Sequence, residues 1–159
     1  MGFFKKKAKN EEFLSPMKGI VRELSDVPDQ VFSEKVMGDG FAIEPTSGKV
    51  AAPISAKVAA AFPTGHAFGL KASDGTEILI HIGIDTVQLN GEGFDVKVKA
   101  GDDVKQGDTL VEIDLDVIKA AGKSVISPII FTDGKTVEVR KKNREVSLLE
   151  KRIVDIFED

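Results

Sequence analysis

The sequence predicts an all-β protein, a single antiparallel β-sandwich or barrel with only minimal short helix. Two observations support this prediction. Short runs of β-branched and other apolar residues recur along the chain, as at residues 78–82 and 109–113. Between such runs Gly and Asp stand together, as in Asp74-Gly75 and Gly107-Asp108, and these residues favour tight turns. Many short strands joined by tight turns are typical of jelly-roll or Greek-key sandwiches and barrels.

The other expected elements follow the same pattern. Further strands are expected at residues 125–131 and 136–140, and single helical turns at residues 29–34 and 116–121. Proline heads an apolar run in three places, where a strand tolerates the missing N–H. These places are Ser15-Pro16-Met17, Ala52-Pro53-Ile54 and Ser127-Pro128-Ile129. Such echoes indicate a fold assembled from related, duplicated β units.

The composition is that of one globular domain. The chain has 159 residues, 42% of them hydrophobic and 30% charged, which supplies enough apolar material for a core. A formal net charge of -4 argues against a nucleic-acid partner, which favours a basic face. Cysteine is absent, which excludes disulfides, thiolate metal sites and a cysteine nucleophile. Because no apolar run is long enough for a membrane span or a signal peptide, we expect a cytoplasmic protein.

The start of the chain differs from the rest in composition. Residues 1–12 read MGFFKKKAKNEE, in which four lysines follow a pair of phenylalanines. We expect a flexible basic tail here and a single β domain over residues 13–159. A second interpretation is weak contact of residues 1–9 with an anionic membrane surface.

The chain has two histidines, His66 and His81, on either side of the Asp74-Gly75 turn. A two-residue loop of the type I′ kind would place Phe68 opposite His81. Gly83 would then lie opposite His66 and leave space beside it. Both imidazoles would stand on one face of the hairpin as diagonal neighbours, about 7–8 Å apart. A loop of three residues would instead turn His81 to the opposite face.

Two converging imidazoles allow three interpretations. A neutral imidazole can attack a phosphoryl group while the second stabilises the phosphoryl oxygens by hydrogen bonding. Alternatively, both histidines are structural and have satisfied hydrogen bonds. The third interpretation is half of a metal site, since imidazole is a common zinc ligand and carboxylates could complete the set.

The residues around both histidines resemble the glucose-type enzyme IIA family of the bacterial sugar phosphotransferase system. The segment EILIHIGIDTVQLNGEGF at residues 77–94 is similar to the phosphorylation-site signature of that family. FPTGHAFGL, at residues 62–70, is similar to the segment that carries its second active-site histidine. Further similar segments stand at residues 26–32, 37–42, 98–114 and 127–133, so the resemblance covers about residues 13–133.

The resemblance implies a role for each of four residues. His81 would accept a phosphoryl group from the phosphorylated histidine carrier protein and pass it to a cysteine of enzyme IIB. His66 would hydrogen-bond the phosphoryl group, and Thr64 would orient His66. The backbone carbonyl of Gly83 would fix the ring of His81. The resemblance thus implies a phosphotransferase component with a phosphohistidine intermediate.

The resemblance also implies a docking surface for protein partners, including regulatory targets. Asp39 and Asp85 would flank the site and meet basic residues, although turn chemistry is the alternative for both. An apolar apron would surround the histidines, with ordinary core as the alternative for each member. The apron residues are Phe41, Ile43, Phe62 and Val87. No cofactor and no intrinsic metal are expected, although a zinc ion shared by His66, His81 and a partner is compatible with the pattern.

Two rival families share part of the pattern. Residues 98–114 look like the hairpin of biotinyl or lipoyl swinging-arm domains, and Met17-Lys18 looks like the lysine that is modified in them. However, Pro16 and Gly19 flank this pair, unlike the methionines that flank the modified lysine in those domains. This interpretation also leaves both histidines without a role. A zinc peptidase of related architecture would need a His-x-His pair, and Gly83 stands where the second histidine would be.

Overall fold

The computed structural model describes residues 11–158, and these form an antiparallel β-protein with two short helices. The all-β prediction is confirmed. The strands are β1 (Gly19–Glu23), β2 (Asp39–Pro45), β3 (Lys49–Ala51), β4 (Ala56–Ala61), β5 (Ala67–Lys71), β6 (Glu77–His81), β7 (Phe94–Val96), β8 (Asp103–Val104), β9 (Thr109–Ile113), β10 (Ser127–Phe131), β11 (Thr136–Val139), β12 (Glu145–Val146) and β13 (Val154–Phe157). The helices are α1 (Gln30–Ser33) and α2 (Leu115–Ala120), and Leu24–Asp26 and Thr86–Leu89 form 3₁₀ turns.

The strands form one large sheet and two small ones. The large sheet has eight strands in the order β12-β1-β2-β10-β6-β5-β4-β8. The small sheets are β11-β13 and β3-β9-β7. Strand β10 is buried along its whole length, which explains its continuous apolar run from Pro128 to Phe131. The site described below lies beside this central strand.

The main core lies on one face of the large sheet. Phe41 of β2, Ile80 of β6 and Ile129 of β10 are fully buried there. Val111 of β9 and Ile156 of β13 belong to the same cluster, so the small sheets cover this face. The arrangement is a sandwich of sheets around one apolar core.

A smaller cluster covers the opposite face at the centre of the large sheet. Ala42, Leu79 and Ile130 alternate with the core residues of their strands and therefore point the other way. Leu24 of the 3₁₀ turn and Phe32 of α1 pack against them. This second cluster supports the face on which His81 lies.

Both helices begin at an aspartate that caps their first N–H groups. The Asp29 carboxylate accepts a hydrogen bond from the backbone N–H of Val31 at 2.9 Å, at the start of α1. Asp114 accepts from the N–H groups of Asp116 and Val117 at the start of α2. The capped turns coincide with the two helical turns expected from the sequence.

The body of the protein includes two residues that the sequence assigned to the tail. Glu11 accepts hydrogen bonds from the backbone N–H and the hydroxyl of Ser55, at 2.5 and 3.2 Å. The carbonyl of Glu12 accepts from the side chain of Gln106 at 2.5 Å. The expected membrane contact of residues 1–9 lies outside the described residues. Within residues 11–158, no helix is both long and apolar enough to cross a membrane.

Candidate functional site

The hairpin that joins the two histidines has a three-residue loop, so the two-residue loop expected from the sequence was wrong. His81 pairs with Ala67, and Phe68 pairs with Ile80. The loop comprises residues 73–75, since the N–H of Ala72 bonds the carbonyl of Thr76 at 2.9 Å. The Asp74 carboxylate accepts from the N–H of Thr76 and Gly75 has a φ of +93°, which together stabilise the longer loop.

This register turns His81 away from the main core, yet the two imidazoles still meet. Their ring centroids are 5.4 Å apart, with an interplanar angle of 73°. His66 reaches His81 because it precedes β5 and follows Gly65, whose φ is +73°, so strand alternation does not constrain it. Its backbone carbonyl accepts from the N–H of Ile82 at 2.7 Å. The expected proximity is confirmed, but a bend, not the diagonal of a regular ladder, produces it.

The ring of half-buried His81 is oriented by a backbone carbonyl. Its Nδ1 lies 2.7 Å from the carbonyl oxygen of Gly83. Since a carbonyl only accepts, Nδ1 donates, and the neutral ring keeps a free lone pair on Nε2. Gly83 has a φ of +70°, and a Cβ there would lie 2.7 Å from a methyl carbon of Thr86 and 2.8 Å from the carbonyl oxygen of Ser124. Only glycine fits this position.

His66 is held by one side-chain hydrogen bond and by the close packing of its loop against β7. The Thr64 hydroxyl is within hydrogen-bond distance of Nδ1 of His66, which is 8% exposed. A Cβ on Gly65 would lie 2.8 Å from the side chain of Val96 and 2.9 Å from that of Phe94. The small sheet that contains β7 therefore sets the position of this histidine.

Two phenylalanines extend the histidine pair into a row of four rings. Phe32 lies 5.1 Å from His81 and Phe62 lies 5.0 Å from His66, measured between ring centroids. Phe32 is buried and Phe62 is 46% exposed. No role was expected for Phe32, although this residue follows Val31 in the family-like segment 26–32.

Both histidines favour the neutral form. Burial lowers the pKa of His81, against opposing effects of the Gly83 carbonyl and the carboxylates of Asp29 and Asp85. Burial also lowers the pKa of His66, and the charge that His81 gains on protonation lowers it further. At pH 7 the site thus presents two neutral imidazoles, one of them with an available lone pair.

Two of the residues expected on the docking surface are buried, and a third makes structural hydrogen bonds. Phe41 and Ile43 are 0% exposed, because they occupy the inward-facing positions of β2 and belong to the main core. Asp39 bonds the N–H of Gly40 at 2.9 Å and that of Val137 at 2.8 Å, and thereby ties β2 to β11. Lys35 pairs with the same carboxylate at 3.2 Å. The structure gives Phe41 and Ile43 core positions and Asp39 a structural one.

Other residues lie beside the histidine pair or are exposed elsewhere on the described surface. Asp29 joins Asp85 as a carboxylate that acts on His81. The exposed large apolar side chains of the described residues include Phe62 and Val87, as expected, and three others. The full set is Val31, Val36, Met37, Phe62 and Val87, and among these Phe62 has its ring 5.0 Å from that of His66. A signal was present in the sequence, since Val36-Met37 stands in a turn segment just before Gly38-Asp39 and has no strand pattern to place it in a core.

No intrinsic metal site is found in residues 11–158, where no group of three or more His, Cys, Asp or Glu side chains could hold an ion. A zinc ion shared by His66, His81 and a partner stays a prediction. A groove of about 570 Å³ beside β4, β5 and β8 is lined by residues such as Lys57 and Asp103 and includes neither histidine.

Comparison with known proteins matches the chain to one family. The family model described as phosphoenolpyruvate-dependent sugar phosphotransferase system, EIIA 1, matches residues 11–137. The glucose-specific EIIA component of Staphylococcus epidermidis is 52% identical over 130 residues, which are 82% of this chain and 78% of that protein. The glucosamine-specific EIICBA component of Bacillus subtilis is 56% identical over 124 residues, which are 78% of this chain but 20% of that protein.

A solved structure agrees over nearly the full length. The glucose permease IIA from Mycoplasma capricolum superposes with a TM-score of 0.85 at 45% identity, and the match covers 98% of this chain and 99% of that one. Sequence and fold thus lead to the same family that the segments around His66 and His81 resemble. The chain belongs to the EIIA family of the phosphoenolpyruvate-dependent sugar phosphotransferase system.

Proposed function

We propose that this chain carries a phosphoryl group on Nε2 of His81, between the phosphorylated histidine carrier protein and an enzyme IIB. The observation that supports this most is the bond from Nδ1 of His81 to the Gly83 carbonyl. It leaves Nε2 as the nucleophile in a neutral ring. The relatives named as glucose-specific and glucosamine-specific point to glucose or its amino derivative as the transported sugar.

The proposed transfer needs no proton movement. The lone pair of Nε2 attacks phosphorus as the bond from phosphorus to the donor imidazole breaks, and Nδ1–H stays bonded to Gly83. In the second step the P–N bond to His81 breaks as a P–S bond forms to the thiolate of enzyme IIB. Catalysis of such a transfer consists of positioning and electrostatic stabilisation, since the protein supplies no further covalent chemistry.

His66 is proposed to stabilise the transferring group. If the Thr64 hydroxyl donates to Nδ1 of His66, the ring proton is on Nε2, and this N–H can donate to a phosphoryl oxygen. A neutral donor suits this role, because it strengthens as charge develops on the oxygens without pairing permanently with the phosphate. The burial that keeps His66 neutral supports the assignment.

Partner docking is proposed for the rim around the histidines. Phe62, exposed and packed beside His66, supplies apolar contact area, and Asp29 and Asp85 supply negative charge beside His81. An apolar centre with charged residues at its edge is the usual anatomy of a protein interface. Partners with basic residues around an apolar patch would fit it.

The test is phosphorylation in a defined mixture of enzyme I, histidine carrier protein and phosphoenolpyruvate, read by intact-protein mass spectrometry. One acid-labile phosphoryl group is expected on the wild-type chain. His81→Ala should abolish it, whereas His66→Ala should still be labelled but pass the group to enzyme IIB more slowly. Labelling of His81→Ala at the wild-type rate would contradict the proposal.

A further inference from the structure

Two buried hydroxyl groups hold the peptide unit that leads into Gly83. Ser127 and Thr86 are both 0% exposed. The Ser127 Oγ accepts a hydrogen bond from the N–H of Gly83 at 3.1 Å. The Thr86 hydroxyl donates to the carbonyl oxygen of Ile82. These are the two ends of one peptide plane, so its rotation would break both bonds.

The next peptide unit is also held at both ends. Its carbonyl, that of Gly83, accepts from Nδ1 of His81, and its N–H, that of Ile84, donates to the carbonyl oxygen of Ser124 at 3.1 Å. The direction of the Gly83 carbonyl is therefore fixed by the hydrogen bonds of its own peptide unit and of the unit before it. That direction decides which nitrogen of His81 keeps its proton.

The Ser127 hydroxyl makes its bond to Gly83 outside the ladder between β6 and β10. Strands β6 and β10 pair only from Ile129 to Phe131, so Ser127 lies beyond the ladder, where its side chain replaces a backbone partner. The equivalent position in the echo Ala52-Pro53-Ile54 has no hydroxyl and is equally buried. The hydroxyl of Ser15, in the third echo, donates to the carbonyl of Met17, which is two residues away, at 2.7 Å. Ser127 donates to Val125 at 2.9 Å and thereby turns a lone pair towards Gly83, 44 residues distant.

We propose that Ser127, together with Thr86, is a positioning residue for His81. The two hydroxyls hold the Gly83 carbonyl where it accepts from Nδ1 and so keep the nucleophilic lone pair on Nε2. The inference rests on the proposed function for its consequence in phosphoryl transfer, while its structural content concerns the unphosphorylated protein alone.

The experiment measures the His81 tautomer and the phosphorylation rate on the same variants. Long-range ¹H–¹⁵N correlation spectra of the ¹⁵N-labelled, unphosphorylated protein, recorded well above pH 6.5, show which ring nitrogen carries the proton. Wild type should have it on Nδ1. Ser127→Ala should show a measurable population protonated on Nε2 and an initial phosphorylation rate about five- to tenfold lower, from the loss of one buried hydrogen bond.

Matched variants separate positioning from general damage. Ser127→Thr keeps the hydroxyl and should restore both measurements, and Thr86→Val, which keeps the methyl against Gly83, should change both in the direction of Ser127→Ala. Ser15→Ala removes an equally buried hydroxyl before a proline and should change neither. Ser127→Ala with a wild-type tautomer would overturn the inference, whether or not its rate fell. If wild type is not phosphorylated on His81, the proposed function fails, and the tautomer spectra still decide the positioning role.

Discussion

The two histidines of the site are held by different means. His81 ends a central strand of the large sheet, and the carbonyl that it bonds is fixed by hydrogen bonds on both sides. His66 lies outside the strands, in a loop that packs closely on β7, and its ring has one side-chain hydrogen-bond partner, Thr64, besides its contacts with the rings of Phe62 and His81. The proposed nucleophile is thus held by directional bonds and its neighbour mainly by packing.

This difference matches what each ring has to do in the proposed transfer. A nucleophile must present a lone pair on one particular nitrogen, and only hydrogen bonds distinguish the two tautomers of an imidazole. A donor that stabilises phosphoryl oxygens must mainly be near them, and packing is sufficient for that. A substitution of Gly83 should therefore lower the rate of phosphoryl transfer strongly. A substitution of a residue that supports His66 should lower this rate only moderately.

The largest effect is expected for Gly83→Ala. Its Cβ would meet the Thr86 side chain and the Ser124 carbonyl at under 3 Å and would strain a φ of +70°. The displaced carbonyl should lower the phosphorylation rate of His81 about 100-fold, because misplacement of about 1 Å can have that effect. The free energy of unfolding, from urea titration, should fall by about 2–4 kcal/mol.

The control for this change is Gly101→Ala. Gly101 has a φ of +95°, but nothing lies within 4 Å of a Cβ built there. Its alanine variant should lose about 1–2 kcal/mol of stability from backbone strain alone and keep the wild-type phosphorylation rate. Equal rates for the two variants would show that the Gly83 carbonyl does not direct His81.

The next effect concerns pH. Because burial lowers the pKa of both rings below the ordinary 6.5, the phosphorylation rate should stay constant from neutral pH down to below 6.5. It should then fall, by up to about tenfold per pH unit, as the neutral fraction of His81 decreases. Initial rates between pH 5 and 8 would measure this, with partner concentrations saturating throughout. A midpoint above 6.5 would contradict a burial effect.

The same shifts predict how stability depends on pH. A histidine with a lowered folded pKa binds its proton more tightly in the unfolded chain, so its contribution to stability is complete above pH 6.5. The contribution is lost as pH falls from 6.5 through the folded pKa.

His81→Gln should also raise the pKa of His66 towards 6.5, since it removes a neighbouring charge. NMR titration of the His66 ring would show an unchanged pKa if the rings act independently.

Particular residues show which features of the fold and the site could be predicted from the sequence. The fold class followed from the turn and strand pattern. The proximity of His66 and His81 was also predicted, but from a hairpin register that was wrong. The loop length did not follow from the sequence, because Asp74-Gly75 fits both a two-residue loop and the three-residue loop that Thr76 closes. Phe41 was expected on the docking surface but lies in the main core. Both faces of β2 are covered by apolar clusters, so the apolar pattern of the strand does not show which side chains are exposed to a partner.

A moderate effect is expected for Thr64→Val, which removes the hydroxyl but keeps the side-chain shape. His66 would lose the partner of its Nδ1, and transfer from His81 to enzyme IIB should slow about fivefold, the value of one hydrogen bond. The His81 tautomer should be unchanged, in contrast to Ser127→Ala. Rapid-quench measurement of the two half-reactions would test this, and a shifted His81 tautomer would mean that the two supports are not separate.

The smallest effect is expected for Asp29 and Asp85, the two carboxylates beside His81 that are proposed to meet basic residues of partners. Asp29 also caps α1, and asparagine caps a helix start as well as aspartate does, so Asp29→Asn removes the charge without loosening the helix. The double variant with Asp85→Asn should lower the association rate with the histidine carrier protein by about two- to fivefold at low salt.

Asp39→Asn is the matched control: it should cost about 1 kcal/mol of stability through the bond to Val137 but leave association unchanged. Stopped-flow binding over a range of salt concentrations distinguishes these cases, because rim charges alter the salt slope whereas a structural carboxylate does not. If Asp39→Asn flattened the slope and the double variant did not, the negative rim would have to be assigned to Asp39, as the sequence first indicated.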